Sequence, residues 1–428
     1  LDLLGQLLQA PQNYIEDVAL GIIAQELVLH QDKSNNIEIA LADMAQAYPV
    51  FGKQHIEKGA MDQMNVAMRL PVVKAGALMP DAHSGYGLPI GGVLAVENAV
   101  IPYGVGVDIA CRMCLTVYDM PVSYLKGHHS QLKKDLIAHT RFGMGCKFKE
   151  PMDDAIFEQD AFNAIPFVKK LKDKAYSQIG TSGGGNHFVE FGIVNISDKK
   201  NEFNLPIGDY IGILSHSGSR GLGAKIADYY TKVAKEQCLL PRTAAHLAWL
   251  GLDTEAGQEY WAAMSLAGDY ASACHRQIHK RLGKALGAKP VAIVENHHNF
   301  AWKEQLADGT PVVVHRKGAT PAGKGVLGII PGSMTAPGFI VRGKGNAASI
   351  NSASHGAGRQ MSRRKAKNSL SKSELRKHLK KQGVTLIGGG IDEAPMAYKD
   401  IHQVMQSQHD LVDIIGTFAP KIVRMASD

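Results

Sequence analysis

The sequence predicts an α/β fold: one compact domain of mixed sheets with surrounding helices, its polar chemistry carried on the loops at strand ends. Three observations support this. Short β-branched runs recur from about residue 72 onward, and most stop at a glycine-rich loop. Longer stretches with one polar face lie between them. No low-complexity linker and no internal repeat divides the 428 residues, so 1–428 reads as a single unit, with 1–70 a mainly helical lead-in and 71–428 the core.

In chain order, residues 13–62 set Ile15, Val18, Ala19, Ile22, Ile23 and Leu27 at helical spacing. The expected strands are VVKAGALMP, IGGVLAVENAVIP, CRMCLTVYDM, HFVEFGIVN, DYIGILSH, PVAIVEN, TPVVVHR, GVLGIIPG, GFIVRG and VTLIGG. Helices are expected over 157–177, 221–236, 257–286, 362–381 and 399–417, each long and polar on one face. The stretch 363–381 is the most basic in the chain. It suits a phosphate backbone or a solvated helix face equally well.

Composition narrows the class. Hydrophobic residues make up 45% and charged residues 20%, values of an ordinary globular chain with a large core. No segment approaches the run of about 20 apolar residues that a membrane helix needs, and the opening LDLLGQLLQAPQN lacks the features of a signal peptide. A cytoplasmic location is the expectation. Five cysteines, at 111, 114, 146, 238 and 274, are too few and too irregular for a disulfide framework, which suits a reducing compartment. The net charge of +7 is compatible with a polyanionic substrate without requiring one. The 45 glycines gather in clusters such as GTSGGGNHF, SHSGSRGLGAK and SHGAGRQ, where a His, Ser or Arg accompanies them. Such loops allow close backbone approach to phosphate, although tight turns alone also use them.

Three groups of residues carry chemistry. Asp108 and Cys111 in VGVDIAC stand three apart, so a carboxylate and a thiolate can meet at one metal; alone, such a pair is more often structural. Cys111 and Cys114 also form a C-x-x-C, but no second pair exists to complete a zinc ribbon. Histidines at strand ends, His187, His216, His297 and His298, supply further ligands of a mixed N/O/S set suited to Mn²⁺ or Zn²⁺. Phosphate-handling loops form the second group: SHSGSRGLGAK leads from strand to helix with Arg220 as a charged donor, and Arg359 in HGAGR is placed comparably. Neither loop fits a Walker A or a dinucleotide fingerprint. The third is His355 in ASHGAGRQ, an imidazole between small residues and therefore an accessible nucleophile. The competing hydrolase reading takes Gly180-Thr181-Ser182-Gly183-Gly184 as a nucleophile elbow, but here the helix precedes and the strand follows.

In order, MPDAHSGYGLPIGGV, VGVDIACRM, GGGNHFVE, SHSGSRGLG, ENHHNF, RKGATPA, IIPGSM, FIVRGKGN, SHGAGRQMSR and DEAPMAYKDI resemble the RtcB RNA ligase family from about Met79 to the C-terminus. The resemblance implies a central metal and nucleotide cleft. Asp108, Cys111, His187, His216 and His298 would bind two manganese ions, with Cys111 shared, and His355 would become guanylylated by GTP. Guanylate contacts would come from Asn186, His187, Phe188, Val189, Glu190, His298, Asn299, Pro331, Gly332, Ser333, Met334, His355, Gly356, Ala357 and Gly358, with Phe188 and Tyr398 stacking on the base. Asp81 and His83 match a family motif beside the site. Arg220 and Arg359 would hold RNA phosphates.

The implied reaction joins an RNA 3′-phosphate or 2′,3′-cyclic phosphate end to a 5′-hydroxyl end, in RNA repair or tRNA splicing. An accessory activator is compatible with it, and the sequence sets no oligomeric state. The chain departs from the family at three places: Met425 stands where members usually have a Lys, Gly338 where a Ser is common, and Arg112 where a small or polar residue follows the bridging Cys. These changes bear on guanine specificity and turnover and leave the metal ligands and His355 intact, as in a divergent paralogue. Two other readings are a metal-dependent RNA-end phosphodiesterase or phosphatase without efficient ligation, and an RNA-end-binding protein with a degenerate site.

Overall fold

The β-branched runs after residue 72 become strands because each pairs with at least one neighbour, the central ones with two, and buries at least one face. The computed structural model describes residues 2–17, 19–24 and 38–427. The core strands are β1 (Val73–Tyr86), β2 (Leu88–Val96), β3 (Arg112–Tyr118), β4 (Phe188–Ile196), β5 (Gly208–Ser217), β6 (Ala292–His297), β7 (Asn299–Gln305), β8 (Pro311–Lys317), β9 (Leu327–Ile330), β10 (Gly338–Gly343) and β11 (Val412–Met425). One antiparallel sheet has the order β1-β2-β8-β7. The larger has the order β9-β10-β11-β4-β5-β3-β6, and the short strand Thr385–Ile387 joins it parallel to β11.

A side chain draws the two ends of the larger sheet together. Asn296 of β6 accepts from Ile329 N at 2.8 Å and donates to Ile329 O at 3.4 Å, imitating a backbone pair across to β9. Its Nδ2 also donates to Thr320 Oγ1 at 2.8 Å. The sheet is thereby rolled into a near-barrel whose interior holds Met113, Leu115, Val117, Leu214, Ile329, Ile340 and Phe418. Outward-facing residues of β4 and β5, Val189, Phe191, Ile211 and Ile213, pack against Ile278, Leu282 and Leu286 of a long helix.

Several helices support these sheets. Lys58–Ala67 (α1) covers β1 and β2, and Arg220–Gln237 (α2) springs directly from β5. Glu255–Leu286 (α3) is 32 residues long, capped by the Thr254 hydroxyl at Gly257 N and ended by Gly287 at φ 67°. Lys372–Gln382 (α4) begins with a capping box between Ser371 and Glu374. Among the described residues no helix is long and apolar enough to cross a membrane.

Four expectations are corrected. The lead-in is only partly helical, because residues 38–49 lie extended on the core, with Ala42 N donating to Arg69 O and Leu78 N to Pro49 O. Val18 and Leu27 lie outside the described residues. The helix expected over 157–177 is broken into short pieces, since Pro166 starts a fresh turn and holds Ile165 extended. The one over 362–381 splits at Leu370, where Ser371 caps a second helix. Finally, 399–417 is helical only over Ile401–Gln406, and β11 takes the rest. Its Val412, Ile414, Ile415, Thr417, Ile422 and Val423 favour a strand, and pairing with both β10 and β4 decides it.

Candidate metal and nucleotide site

The polar strand ends of the two sheets meet in a cleft of about 760 Å³, large enough for a nucleotide. At its head four imidazoles follow one another, His187, His216, His298 and His355, with successive ring centres 5.1, 5.2 and 4.9 Å apart. His216 ends β5 and donates Nδ1–H to Asn186 O at 3.1 Å, so its Nε2 carries the lone pair. That Nε2 stands 3.1 Å from Cys111 Sγ and 3.3 Å from His298 Nε2. His187 Nε2 lies 2.9 Å from Asp108 Oδ2 and 3.4 Å from Cys111 Sγ. Asp108, Cys111, His187, His216 and His298, drawn from distant parts of the chain, thus converge.

Two local features make this convergence possible. Gly183 is required beside His187: a Cβ there would fall 2.1 Å from His187 Nδ1 and 2.6 Å from Arg220 Nη1. Asn299 ties the loop by donating to Asp108 O at 3.3 Å and accepting from Gly318 N at 2.8 Å.

The protonation states suit a cation. Burial holds His216 down to about 3 and His298 well below the usual histidine range, so both rings are neutral and carry a lone pair. Burial works to raise the Asp108 carboxyl, but His187 beside it and its hydrogen bonds bring it to about 2. Burial and the Asp108 charge push the Cys111 thiol well up. A thiol so placed among imidazoles, a carboxylate and buried nitrogens without partners (His187 Nδ1, His298 Nδ1) fits a divalent ion, which would draw off its proton.

His355 has a different environment. Its Nδ1–H donates to Asp81 Oδ2 at 2.7 Å, and the same oxygen accepts the backbone N–H of His355 at 3.1 Å and of Gly356 at 3.3 Å. Asp81 is fully buried. Burial would raise its carboxyl, yet its pairing with His355 holds it below the usual value. Gly358, at φ 70°, lets the HGAG loop lie on Asp81, since a Cβ would come 2.1 Å from Asp81 O. Lys399 fastens the other side of this turn by donating to Ala82 O at 2.7 Å and Pro80 O at 3.3 Å. His83 lines the cleft with Nδ1 3.1 Å from Asp81 O, and burial holds it down to about 4.

Most of the remaining expected residues line the same cleft: Asn186, Phe188, Glu190, Asn299, Pro331, Gly332, Ser333, Met334, Gly356, Ala357, Gly358, Arg359 and Tyr398. Val189 does not; its side chain packs in the layer between β4 and α3. Arg220 lies behind His187, donating to Thr181 Oγ1 at 3.1 Å and Gly143 O at 3.1 Å. Arg359 donates to Asp392 O at 2.7 Å and Met361 O at 3.0 Å, and its guanidinium stands over the Tyr398 ring. Ser182 is buried between the helix Lys172–Gln178 and β4, the reverse of a nucleophile elbow.

The three departures each have a setting. Met425 is opposite Phe188 in register and lines the cleft floor, two pairs along from Val423 and the buried Glu190, whose carboxyl burial pushes well up. Gly338 lines the same floor. Arg112 turns away, ion-paired with Glu295 and 3.0 Å from His297 Nδ1, which takes His297 out of the cleft. Residues to which the sequence assigned no role are Asp81, Lys399 and Lys317; Lys317 lines the cleft, donates to Tyr86 O at 2.6 Å, and is pulled by burial down to about 7. Besides the family motif MPDAH, a charge inside the apolar run ALMPDAH is a signal for Asp81.

A set of residues able to hold a metal ion adjoins a carboxylate-oriented histidine inside a nucleotide-sized cleft, an arrangement that suits a metal-assisted group-transfer enzyme. A family model described as tRNA-splicing ligase RtcB matches residues 62–165 and 158–426. RNA-splicing ligase RtcB of Escherichia coli (strain K12) is 34% identical over 397 residues, covering 85% of this chain and 93% of that protein. The tRNA-splicing ligases RtcB of Nanoarchaeum equitans and Thermococcus kodakarensis are 31% and 30% identical, over 87% and 86% of this chain and 92% of each relative. The chain belongs to the RtcB family.

Proposed function

We propose that this enzyme is an RNA ligase that uses GTP and two manganese ions to join a 3′-phosphate or 2′,3′-cyclic phosphate end to a 5′-hydroxyl end. The observation that carries the reading is the bond from His355 Nδ1 to the fully buried Asp81, with the His298 ring 4.9 Å away. Holding the proton on Nδ1 leaves Nε2 with a lone pair, and the His355 side chain remains 17% exposed to the cleft.

In the proposed reaction Nε2 of His355 attacks the α-phosphorus of GTP as the bond to pyrophosphate breaks. The leaving group takes the electron pair, and Asp81 offsets the positive charge that the ring acquires. The guanylate then passes to an oxygen of the RNA 3′-phosphate, restoring the neutral ring. Attack by the 5′-hydroxyl releases GMP and seals the strand; a cyclic phosphate would be opened to the 3′-phosphate first. Manganese held by Asp108, Cys111, His187, His216 and His298 would supply the positive charge that offsets crowded phosphates. Asn186, Asn299 and the Pro331–Met334 and His355–Gly358 loops would position the guanylate, with Phe188 and Tyr398 against the base.

RNA phosphates would meet Arg359 at the cleft and the basic segment 363–381, where exposed lysines and arginines of α4 face solvent. Arg220 would act from behind His187. We place the enzyme in a reducing, cytoplasmic setting, in keeping with five free cysteines. Damaged RNA is as suitable a target as spliced tRNA, and an accessory activator remains compatible with this reading.

Incubation with labelled GTP and Mn²⁺ tests the proposal. An acid-labile adduct should form on the protein and be absent from His355→Ala. Cleavage of cyclic phosphate ends without any adduct would instead establish the phosphodiesterase reading. Running each nucleoside triphosphate in parallel tests whether guanine preference survives with Met425 on the cleft floor.

A further inference from the structure

The C-x-x-C of Cys111 and Cys114 is split by the strand it enters. Successive strand residues face opposite ways, so an offset of three sends the two thiols to opposite sides of the larger sheet. Cys111 joins the cleft. Cys114, paired in register with Ser215 of β5 and Glu295 of β6, faces α3, where His275 and His279 stand one helical turn apart.

Cys114, His275 and His279 are all buried, and one ligand atom from each lies within 4.8 Å of the others. The two ring nitrogens His275 Nδ1 and His279 Nε2 both converge on Ser215 Oγ, at 2.6 and 2.7 Å. The outer nitrogens are fastened. His275 Nε2 lies 3.2 Å from Ser217 O, and since a carbonyl only accepts, that nitrogen carries the proton and Nδ1 the lone pair. Ser215 Oγ has one proton to give, so it donates to His275 Nδ1 and accepts from His279 Nε2; on metal binding the His279 proton would move to Nδ1, which lies 2.9 Å from Thr116 Oγ1, a hydroxyl able to accept it. Outer nitrogens held by a carbonyl or hydroxyl, with inner ones converging beside a thiol, is how proteins orient histidine ligands.

The geometry points to a second metal site on the far face of the large sheet, where Cys114, His275 and His279 hold a zinc-class divalent cation beside Ser215 and pin α3 to β3 and β5. One thiolate and two imidazoles without a carboxylate select a borderline-soft ion, unlike the carboxylate-bearing cleft. Metal–sulfur and metal–nitrogen bonds of about 2.3 and 2.0 Å need ligand atoms about 3.5 Å apart, so the cluster closes by about 1 Å at most on binding. The step is balanced: Cys114 loses its proton to solvent as the S–metal bond forms, and Ser215 exchanges its bonds to the two rings for a place beside the ion. Burial already holds His279 down to about 3 and His275 well below the usual range, so neither ring has a proton to lose. The nearby cation Arg112 is neutralised by its ion pair with Glu295.

The ion would lie directly behind the cleft. Ser215 precedes His216 in β5, and Cys114 follows Cys111 in β3, so the strands that present cleft ligands on one face are clamped through the other.

Cobalt substitution tests this without reference to catalysis or nucleotide. In the Cys111→Ser protein the cleft holds no thiolate, so any sulfur-to-cobalt charge-transfer band must come from another cysteine. Loading that protein with Co²⁺ should give this near-ultraviolet band together with the visible absorption of a four-coordinate site, and dialysis should leave about one zinc per chain in the protein as purified. The band should vanish in Cys111→Ser/Cys114→Ser and weaken in Cys111→Ser/His279→Gln. Absence of the band from folded Cys111→Ser protein overturns the proposal, and so does a band that survives removal of Cys114. Guanylate transfer at His355 is a separate measurement, and its success or failure has no bearing on this result.

Discussion

Asp81→Asn is the most informative perturbation of the cleft. One carboxylate oxygen accepts three donors: His355 Nδ1–H at 2.7 Å and the backbone N–H groups of His355 and Gly356 at 3.1 and 3.3 Å. The substitution keeps the shape of the side chain and one accepting oxygen, so the ring orientation should survive. What it removes is the negative charge beside an imidazole that becomes positive as it attacks phosphorus. A hydrogen bond to a charged group contributes about 1.5–3 kcal/mol, against about 1 kcal/mol for a neutral one. If that difference of about 0.5–2 kcal/mol develops only in the transition state, adduct formation slows by about 2- to 30-fold, at about 1.4 kcal/mol per decade. The assay is single-turnover labelling with GTP at saturating Mn²⁺, beside a thermal melt to verify folding. GTP affinity should change little, because Asp81 lies behind the ring and the cleft lining is unchanged. A folded Asp81→Asn protein labelled within twofold of the parent rate would refute the role given to Asp81.

Three further outcomes are expected. Because burial and Asp108 hold the Cys111 thiol protonated at neutral pH, Mn²⁺ binding should release about one proton per thiolate formed and tighten as pH rises; buffer-independent heats in calorimetry would contradict this. His216, already neutral down to about pH 3, should contribute no proton to that count. Gly183→Ala should destabilise the fold by about 1–3 kcal/mol and weaken Mn²⁺ binding, since the new methyl meets a His187 ring that Asp108 and Cys111 prevent from retreating; an unchanged melting temperature would show that the loop has slack. Asn296→Leu should cost about 3 kcal/mol, because the Ile329 N–H and C=O lose the side chain that pairs them inside the rolled sheet, and denaturant unfolding would measure it.

Much of the candidate cleft was legible in the sequence because many of its residues sit in or beside short loops whose composition is dictated locally. Gly183 and Gly358 occur where a Cβ cannot fit, and they stand near the functional histidines in the chain itself. The strands were legible for a similar reason, since β-branched runs have few alternatives once both faces are covered. Where the expectation over 399–417 failed, long-range pairing decided. The segment 412–425 has enough apolar residues for either a helix or a strand, and only the open edges of β10 and β4 make it a strand.

Residue types and their spacing determined that this chain would carry a mixed N/O/S ligand set, a histidine between small residues and glycine loops able to approach phosphate. The tertiary structure alone decided which groups act together. It paired Asp81 with His355 across 274 positions and sent Cys111 and Cys114 to different faces. It also separated His298, in the cleft, from His297, which turns back to Arg112. The reason is that a hydrogen bond or metal site depends on angstrom-scale distances set by strand register and sheet curvature, and neither quantity is encoded within any single segment.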